Sequence, residues 1–180
     1  EMNSLQSETV IVGNEQQSTF SEEATIEKEN VVVEIPAGIT ISADKDAGWD
    51  GTIKAPEIKV TASTEPTKED GKIKEVKKVV EVGFPDVKLT FDKAVRLKIE
   101  GEAKNKVGYA RSGVFTEITT VCSADTQAAG DALVSEGDCY INVGSDLVIW
   151  TKHFTEFITY VSNTGCSTDN DCNYLDQPSS

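Results

Sequence analysis

The chain has 180 residues, with 17 Lys and Arg against 31 Asp and Glu, and carries a formal charge of -14. So negative a surface repels phosphate backbones and anionic headgroups, and no apolar run approaches the roughly 20 residues that span a bilayer, so neither nucleic acid nor membrane insertion is expected. The single histidine excludes His-rich metal sites, and neither GxGxxG nor GxxxxGKS/T occurs to cradle a nucleotide.

Along the chain, short runs alternate apolar and polar residues with the period of half-buried strands. In order they are Thr9 to Val12, Val31 to Ile35, Ile39 to Ser42, Ile58 to Thr61, Val76 to Val82, Val87 to Phe91, Val95 to Ile99, Val114 to Val121, Tyr140 to Val143, Leu147 to Thr151 and Phe154 to Val161. Turn chemistry separates them at Pro36-Ala37-Gly38, Asp50-Gly51, Asp70-Gly71, Gly83-Phe84-Pro85, Asp92-Lys93 and Gly144-Ser145. This spacing predicts an all-β chain, an antiparallel β-sandwich of Greek-key type with short helical segments at most. Helix is expected only at Ser21 to Lys28, where a Ser cap precedes glutamates, and at the Ala-rich Thr126 to Leu133. Three regions follow: an N-terminal strand or arm over 1–30, the sandwich over 31–162, and an acidic, Cys-containing tail over 163–180. The first residues carry no charged-then-apolar leader, so any signal peptide is expected to have been removed or never to have been part of this chain.

Cys122, Cys139, Cys166 and Cys172 form an even set in an acidic chain, which reads as two disulfides in an extracellular, cell-surface or periplasmic compartment. Four cysteines allow three connectivities. The economical one joins Cys122 to Cys139 and Cys166 to Cys172, since each pair flanks a short polar segment. A four-thiolate zinc site is the rival, but CxxC spacing is absent.

The only histidine opens the one stretch with chemical content, His153-Phe154-Thr155. If a sharp bend falls between a strand ending near Lys152 and one beginning near Thr155, the imidazole can reach the Thr155 hydroxyl, which places a base beside a nucleophile. The Phe154 carbonyl is tethered next to that hydroxyl, so proximity needs no substrate binding. Attack converts the amide to an ester, and water then leaves Phe154 and Thr155 as new termini. No separate substrate is expected.

His153-Phe154-Thr155 resembles the His-Leu-Thr/Ser motif of the GAIN domain of adhesion receptors and the His-Phe-Ser motif of the FIIND domain of inflammasome proteins. Val33-Glu34-Ile35-Pro36-Ala37-Gly38 is similar to an early strand and turn of the ZU-type domain shared by zonula occludens proteins, netrin receptors and ankyrins. Phe91-Asp92-Lys93-Ala94-Val95-Arg96-Leu97-Lys98-Ile99 is similar to a later strand of that domain, with Ala94 where the family often has Pro. Cys122, Cys139 and Trp150 resemble the Cys and Trp framework of the receptor proteolysis site, though not its four-Cys spacing. The resemblance spans about Val31 to Val161 and implies a β-sandwich that cuts itself between Phe154 and Thr155 while the pieces stay associated.

Other features have plainer readings. Asp44 to Asp50 alternates acidic oxygens without a distal Glu and reads as a solvated turn. Asp169 and Asp171, inside the Cys166 to Cys172 ring, are the candidate ligands for calcium, the one cofactor the sequence offers. Trp49 and Trp150 serve as sugar platforms in a binding module and as packing residues otherwise. Glu65 to Lys78 is mixed in sign and reads as a solvated hairpin. The leading expectation is an extracellular structural module whose partners are other surface-protein domains or copies of itself. The alternatives are a filament or surface-layer subunit that donates Glu8 to Phe20 to a neighbour, and a carbohydrate- or calcium-dependent binding module.

Overall fold

A computed structural model describes residues 8–51, 53, 55–59, 72–83, 87–111 and 113–164. Among these residues, thirteen strands form two antiparallel sheets, accompanied by one short helix. The strands are β1 (Glu8–Val12), β2 (Glu15–Phe20), β3 (Ala24–Lys28), β4 (Val31–Ile35), β5 (Ile39–Asp44), β6 (Glu57–Lys59), β7 (Lys72–Glu81), β8 (Leu89–Ile99), β9 (Lys106–Arg111), β10 (Val114–Glu117), β11 (Asp138–Val143), β12 (Asp146–Phe154) and β13 (Glu156–Thr164), with helix α1 at Gln127–Asp131. The first sheet runs β1-β2-β5-β8-β12-β11, with β4 also on β8 and β3 beyond β4. The second runs β10-β9-β13-β7-β6. The expected all-β sandwich is therefore the architecture found.

The sheets face each other across one core. Val31, Val33, Ile35, Leu97, Ile99, Leu147 and Ile149 of the first sheet meet Val80, Val107 and Phe157 of the second. Period-two alternation produces this: in β4 and in the Val95 to Ile99 part of β8 every second side chain points inward, and each of those positions is apolar.

Several elements depart from the sequence reading. Ser21 to Lys28, expected to be helical, contains β3, whose Ala24 to Lys28 pair with Ile35 to Val31. The β-branched pair Thr25 and Ile26, with only Ile26 fully inward, suits a strand better than a helical face. The expected turn at Asp92-Lys93 lies inside β8, which fuses two predicted runs into eleven residues. Its turn chemistry survives as a ladder irregularity: Thr151 pairs Val95, but His153 pairs Thr90. The polar strands β2 and β9 have no counterpart among the predicted runs. Residues 8–28 are hydrogen-bonded into the first sheet, β2 to β5 and β3 to β4.

Strand β12 is buried almost throughout, because its outer face is covered too. Val148 and Trp150 pack there with Ala94, Cys122 and Cys139, under the segment 118–137. The Cys122–Cys139 disulfide ties that segment to β11, which is the pairing expected for these two cysteines. Cys166 and Cys172 lie outside the described residues. Helix α1 is capped by Thr126, whose hydroxyl accepts from the Ala129 N–H. Its side chains satisfy the backbone that the β8 irregularity exposes: Asp131 accepts from the Ala94 N–H at 2.8 Å, and Gln127 donates to the Ala94 carbonyl at 2.9 Å. Lys152, itself buried, donates to the Asp131 and Leu133 carbonyls at 2.8 and 2.7 Å and neutralises the helix end.

Arg96 fastens the same segment from the sheet. It donates to both Asp125 oxygens, at 2.9 and 2.7 Å, and to Glu34, while Trp150 donates to Asp125 at 2.8 Å. The hydrogen bond from Arg96 holds the Asp125 carboxyl below its ordinary range, against a smaller opposing effect of burial. Because the folded value is lowered, Asp125 contributes stability above its unfolded value near 3.9 and loses it as pH falls through the folded value. Asp125→Asn is therefore expected to lower Tm at neutral pH and flatten its fall in acid; equal acid sensitivity in both proteins would exclude Asp125 as the titrating group.

Gly130 supplies a second check. A Cβ on it would lie 2.6 Å from the Trp150 ring and 2.7 Å from the Ala94 methyl. Ala gains about 1 kcal/mol in helix propensity, whereas overpacking costs about 1–3 kcal/mol. Gly130→Ala is expected to destabilise by about 1 kcal/mol net in urea unfolding, and a gain in stability would show that Trp150 yields.

Candidate functional site

Between β12 and β13 the chain passes from the first sheet to the second through one residue. Phe154 ends β12, paired with Leu89, and Glu156 begins β13, paired with Glu81 and Ala110. Thr155 alone lies between. Its carbonyl accepts from the Val82 N–H at 3.1 Å, and its hydroxyl donates to the Ala110 carbonyl at 2.7 Å. Phe154 is buried edge-on against Phe91, with ring centroids 4.6 Å apart. Gly83 lets β7 pass closely, for a Cβ there would lie 2.9 Å from the Phe154 Cβ.

His153 is 1% exposed, and both ring nitrogens are engaged. Nε2 lies 2.8 and 2.9 Å from the two Asp138 oxygens, and Nδ1 lies 3.0 Å from Arg111 Nη2. A guanidinium has only donors, so Nδ1 must accept and Nε2 must carry the hydrogen given to Asp138. The hydrogen-bond network thus assigns one tautomer. The ring also meets Tyr109 edge-on at 4.7 Å.

Local sequence explains the placement. The Gly144-Ser145 turn sets Val143 opposite Asp146, and the same register brings Asp138 opposite Thr151, diagonal to His153. Thr151 donates its hydroxyl to Asp138 and accepts from the His153 N–H at 3.2 Å. Arg111 ends β9, and continuing the Ala110 to Glu156 register puts it opposite Thr155. The same Nη2 also donates to the Phe154 carbonyl, at 3.2 Å. Outside this buried array Lys88 binds Glu136 at 2.8 Å, and Arg111 approaches it at 3.8 Å. The hydrogen bond from Lys88 holds the Glu136 carboxyl below its ordinary range.

The structure thus brings His153, Phe154 and Thr155 to one corner but joins the imidazole to Arg111 and Asp138, and the Thr155 hydroxyl to Ala110. Sequence reasoning missed Asp138, Thr151 and Arg111. Counting back from Gly144-Ser145 would have found the first two. Arg111 needed β9, whose Lys106 to Arg111 lacks a strong apolar alternation. Chemically, the corner holds a tautomer-fixed base, a hydroxyl and a carbonyl polarised by a cation. Asp169 and Asp171, the calcium candidates, lie outside the described residues; among those described, no group of three or more His, Cys, Asp or Glu could hold a metal ion. Trp49 and Trp150 are each 4% exposed, so neither presents a face for a sugar.

Removing Asp138 strands the buried Nε2–H of His153, whereas the Thr151 hydroxyl keeps the His153 carbonyl as an acceptor at 2.9 Å. A buried donor left unsatisfied costs about 1–3 kcal/mol, so Asp138→Ala is expected to lose about 2 kcal/mol in urea unfolding; a loss under about 0.5 kcal/mol, ordinary for surface sites, would show the array adds no stability. Compared with known proteins, the chain matches no family model, no curated protein and no solved structure.

Proposed function

We propose that the chain is a structural β-sandwich module of an extracellular or cell-surface protein. The observation that carries this reading is the Cys122–Cys139 bridge, which clamps the 118–137 cover over the central strand β12. A buried disulfide in that position suits an oxidising compartment. Its partners are other domains of the surface protein or further copies of the chain.

A second reading adds self-cleavage between Phe154 and Thr155, as the resemblance to the GAIN and FIIND motifs implies. What favours it is the tautomer that Asp138 fixes on His153, which leaves Nδ1 as the nitrogen able to accept the Thr155 proton. Cut at that link, β13 would remain held by nine paired residues of β7 and five of β9, so the pieces stay together. The filament reading by donated strand draws less support, because β2 is already paired with β5 of its own chain.

Two measurements test these readings. Thiol titration of native material should find Cys122 and Cys139 blocked; free thiols at both would remove the extracellular module. Denaturing mass measurement after long incubation in mild urea should reveal slow conversion of the 19.4 kDa chain into fragments ending at Phe154 and beginning at Thr155. A chain that stays whole, even with hydroxylamine to intercept the ester, removes self-cleavage and leaves the module standing.

A further inference from the structure

Cutting the Phe154–Thr155 bond requires a free hydroxyl and a free imidazole nitrogen, and two consecutive residues of β9 occupy both. The Ala110 carbonyl takes the Thr155 hydroxyl hydrogen at 2.7 Å, and Arg111 takes the Nδ1 lone pair of His153 at 3.0 Å. We propose that the Ala110–Arg111 end of β9 is an autoinhibitory latch on this bond, and that release of the β9–β10 hairpin from β13 permits cleavage. The inference rests on reading Phe154–Thr155 as a cleavable bond.

Topology makes the latch separable. Among the described residues the hairpin forms one edge of the second sheet, and its only other neighbour there is β13. Edge hairpins open at lower free energy than central strands. The contacts that the first sheet and β7 make at the corner stay when β9 leaves. Asp138 and Thr151 belong to the first sheet, so His153 keeps its Nε2 hydrogen on Asp138. β7 still holds β13, and Val82 still holds the Thr155 carbonyl. The two blocking contacts, the Arg111 bonds to the Phe154 carbonyl and toward Glu136, the Tyr109 edge contact with the imidazole and the β9–β13 ladder are lost.

With the latch open, the Thr155 hydroxyl proton passes to Nδ1 as Oγ1 bonds to the Phe154 carbonyl carbon. The C–N bond then breaks, and the leaving nitrogen takes that proton, giving an ester and a free Thr155 amine. Water adds to the ester, its C–O bond breaks, and the products are the Phe154 carboxyl group and a restored Thr155 hydroxyl.

Gly108 gives a way to loosen the hairpin without touching the reacting groups. A Cβ there would lie 2.4 Å from the Thr116 carbonyl oxygen and 2.5 Å from the Phe115 ring of β10. Gly108→Ala is expected to raise the cleavage rate in mild urea roughly tenfold or more, the factor that overpacking gives an opening equilibrium. Should that variant not fold, Phe115→Ala, which removes an edge contact with Tyr160 at 5.5 Å, is expected to act in the same direction. Adding Thr155→Ala should abolish the effect, and Asp125→Asn, destabilised on the far face of the first sheet, should not reproduce it. If the parent chain cuts in a Thr155-dependent way but neither hairpin variant is faster, or Asp125→Asn is equally fast, the latch is wrong and the cleavable bond stands. If no chain cuts, both fall.

Discussion

One guanidinium joins the two sheets where the chain crosses between them. Arg111 comes from the second sheet, and its Nη2 reaches both His153 Nδ1 and the Phe154 carbonyl of the first. The crossing brings a buried imidazole and a backbone carbonyl into a place no regular ladder serves. Each such group left unpaired costs about 1–3 kcal/mol. A planar donor with several N–H groups in a fixed fork suits this task better than an ammonium. Asp138 balances its charge through the imidazole, and the corner is paired throughout: cation, neutral ring, carboxylate, hydroxyl.

The same logic governs the opposite face of β12. A strand buried on both sides needs a second cover, and the chain builds it from a polar segment rather than from a third sheet. That segment has little apolar surface with which to hold itself down. Hydrogen bonds and a covalent bond do so instead: Arg96 to Asp125, Trp150 to Asp125, Lys152 to the end of α1, and Cys122 to Cys139. Closing a ring of this size stabilises by roughly 3 kcal/mol through the unfolded chain. Cys139 follows Asp138 directly, so the bridge that holds the cover down also anchors the strand that orients His153.

Much of this was legible in the residues, because alternation reports burial. β5 and the Val95 to Ile99 part of β8 alternate as they must when their two faces differ, while β4 and β12 show as short continuous apolar runs because both of their faces are packed, and their positions follow. Polar strands were hidden: β2 reads Glu-Gln-Gln-Ser-Thr-Phe, and only its neighbours make it a strand. Asp92-Lys93 misled for a related reason, since turn residues also mark irregularities inside long strands. The cysteine pairing was readable from spacing. The array around His153 was half readable, since Asp138 and Thr151 follow from hairpin register while Arg111 depends on a pairing between distant segments that no local pattern announces.

That last dependence decides what the corner can do. A histidine two residues before a threonine is adjacent by covalent geometry in any chain, so adjacency alone says nothing about reactivity. Reactivity depends on where the lone pair and the hydroxyl hydrogen go, and both are settled by β9. The hydroxyl has one hydrogen and gives it to Ala110; Nδ1 has one lone pair and gives it to Arg111. Each contact satisfies a buried group and so stabilises the fold, and each also occupies an orbital that acyl transfer would use. Stability and inertness at this corner are consequently one property, set by whether an edge hairpin is in place.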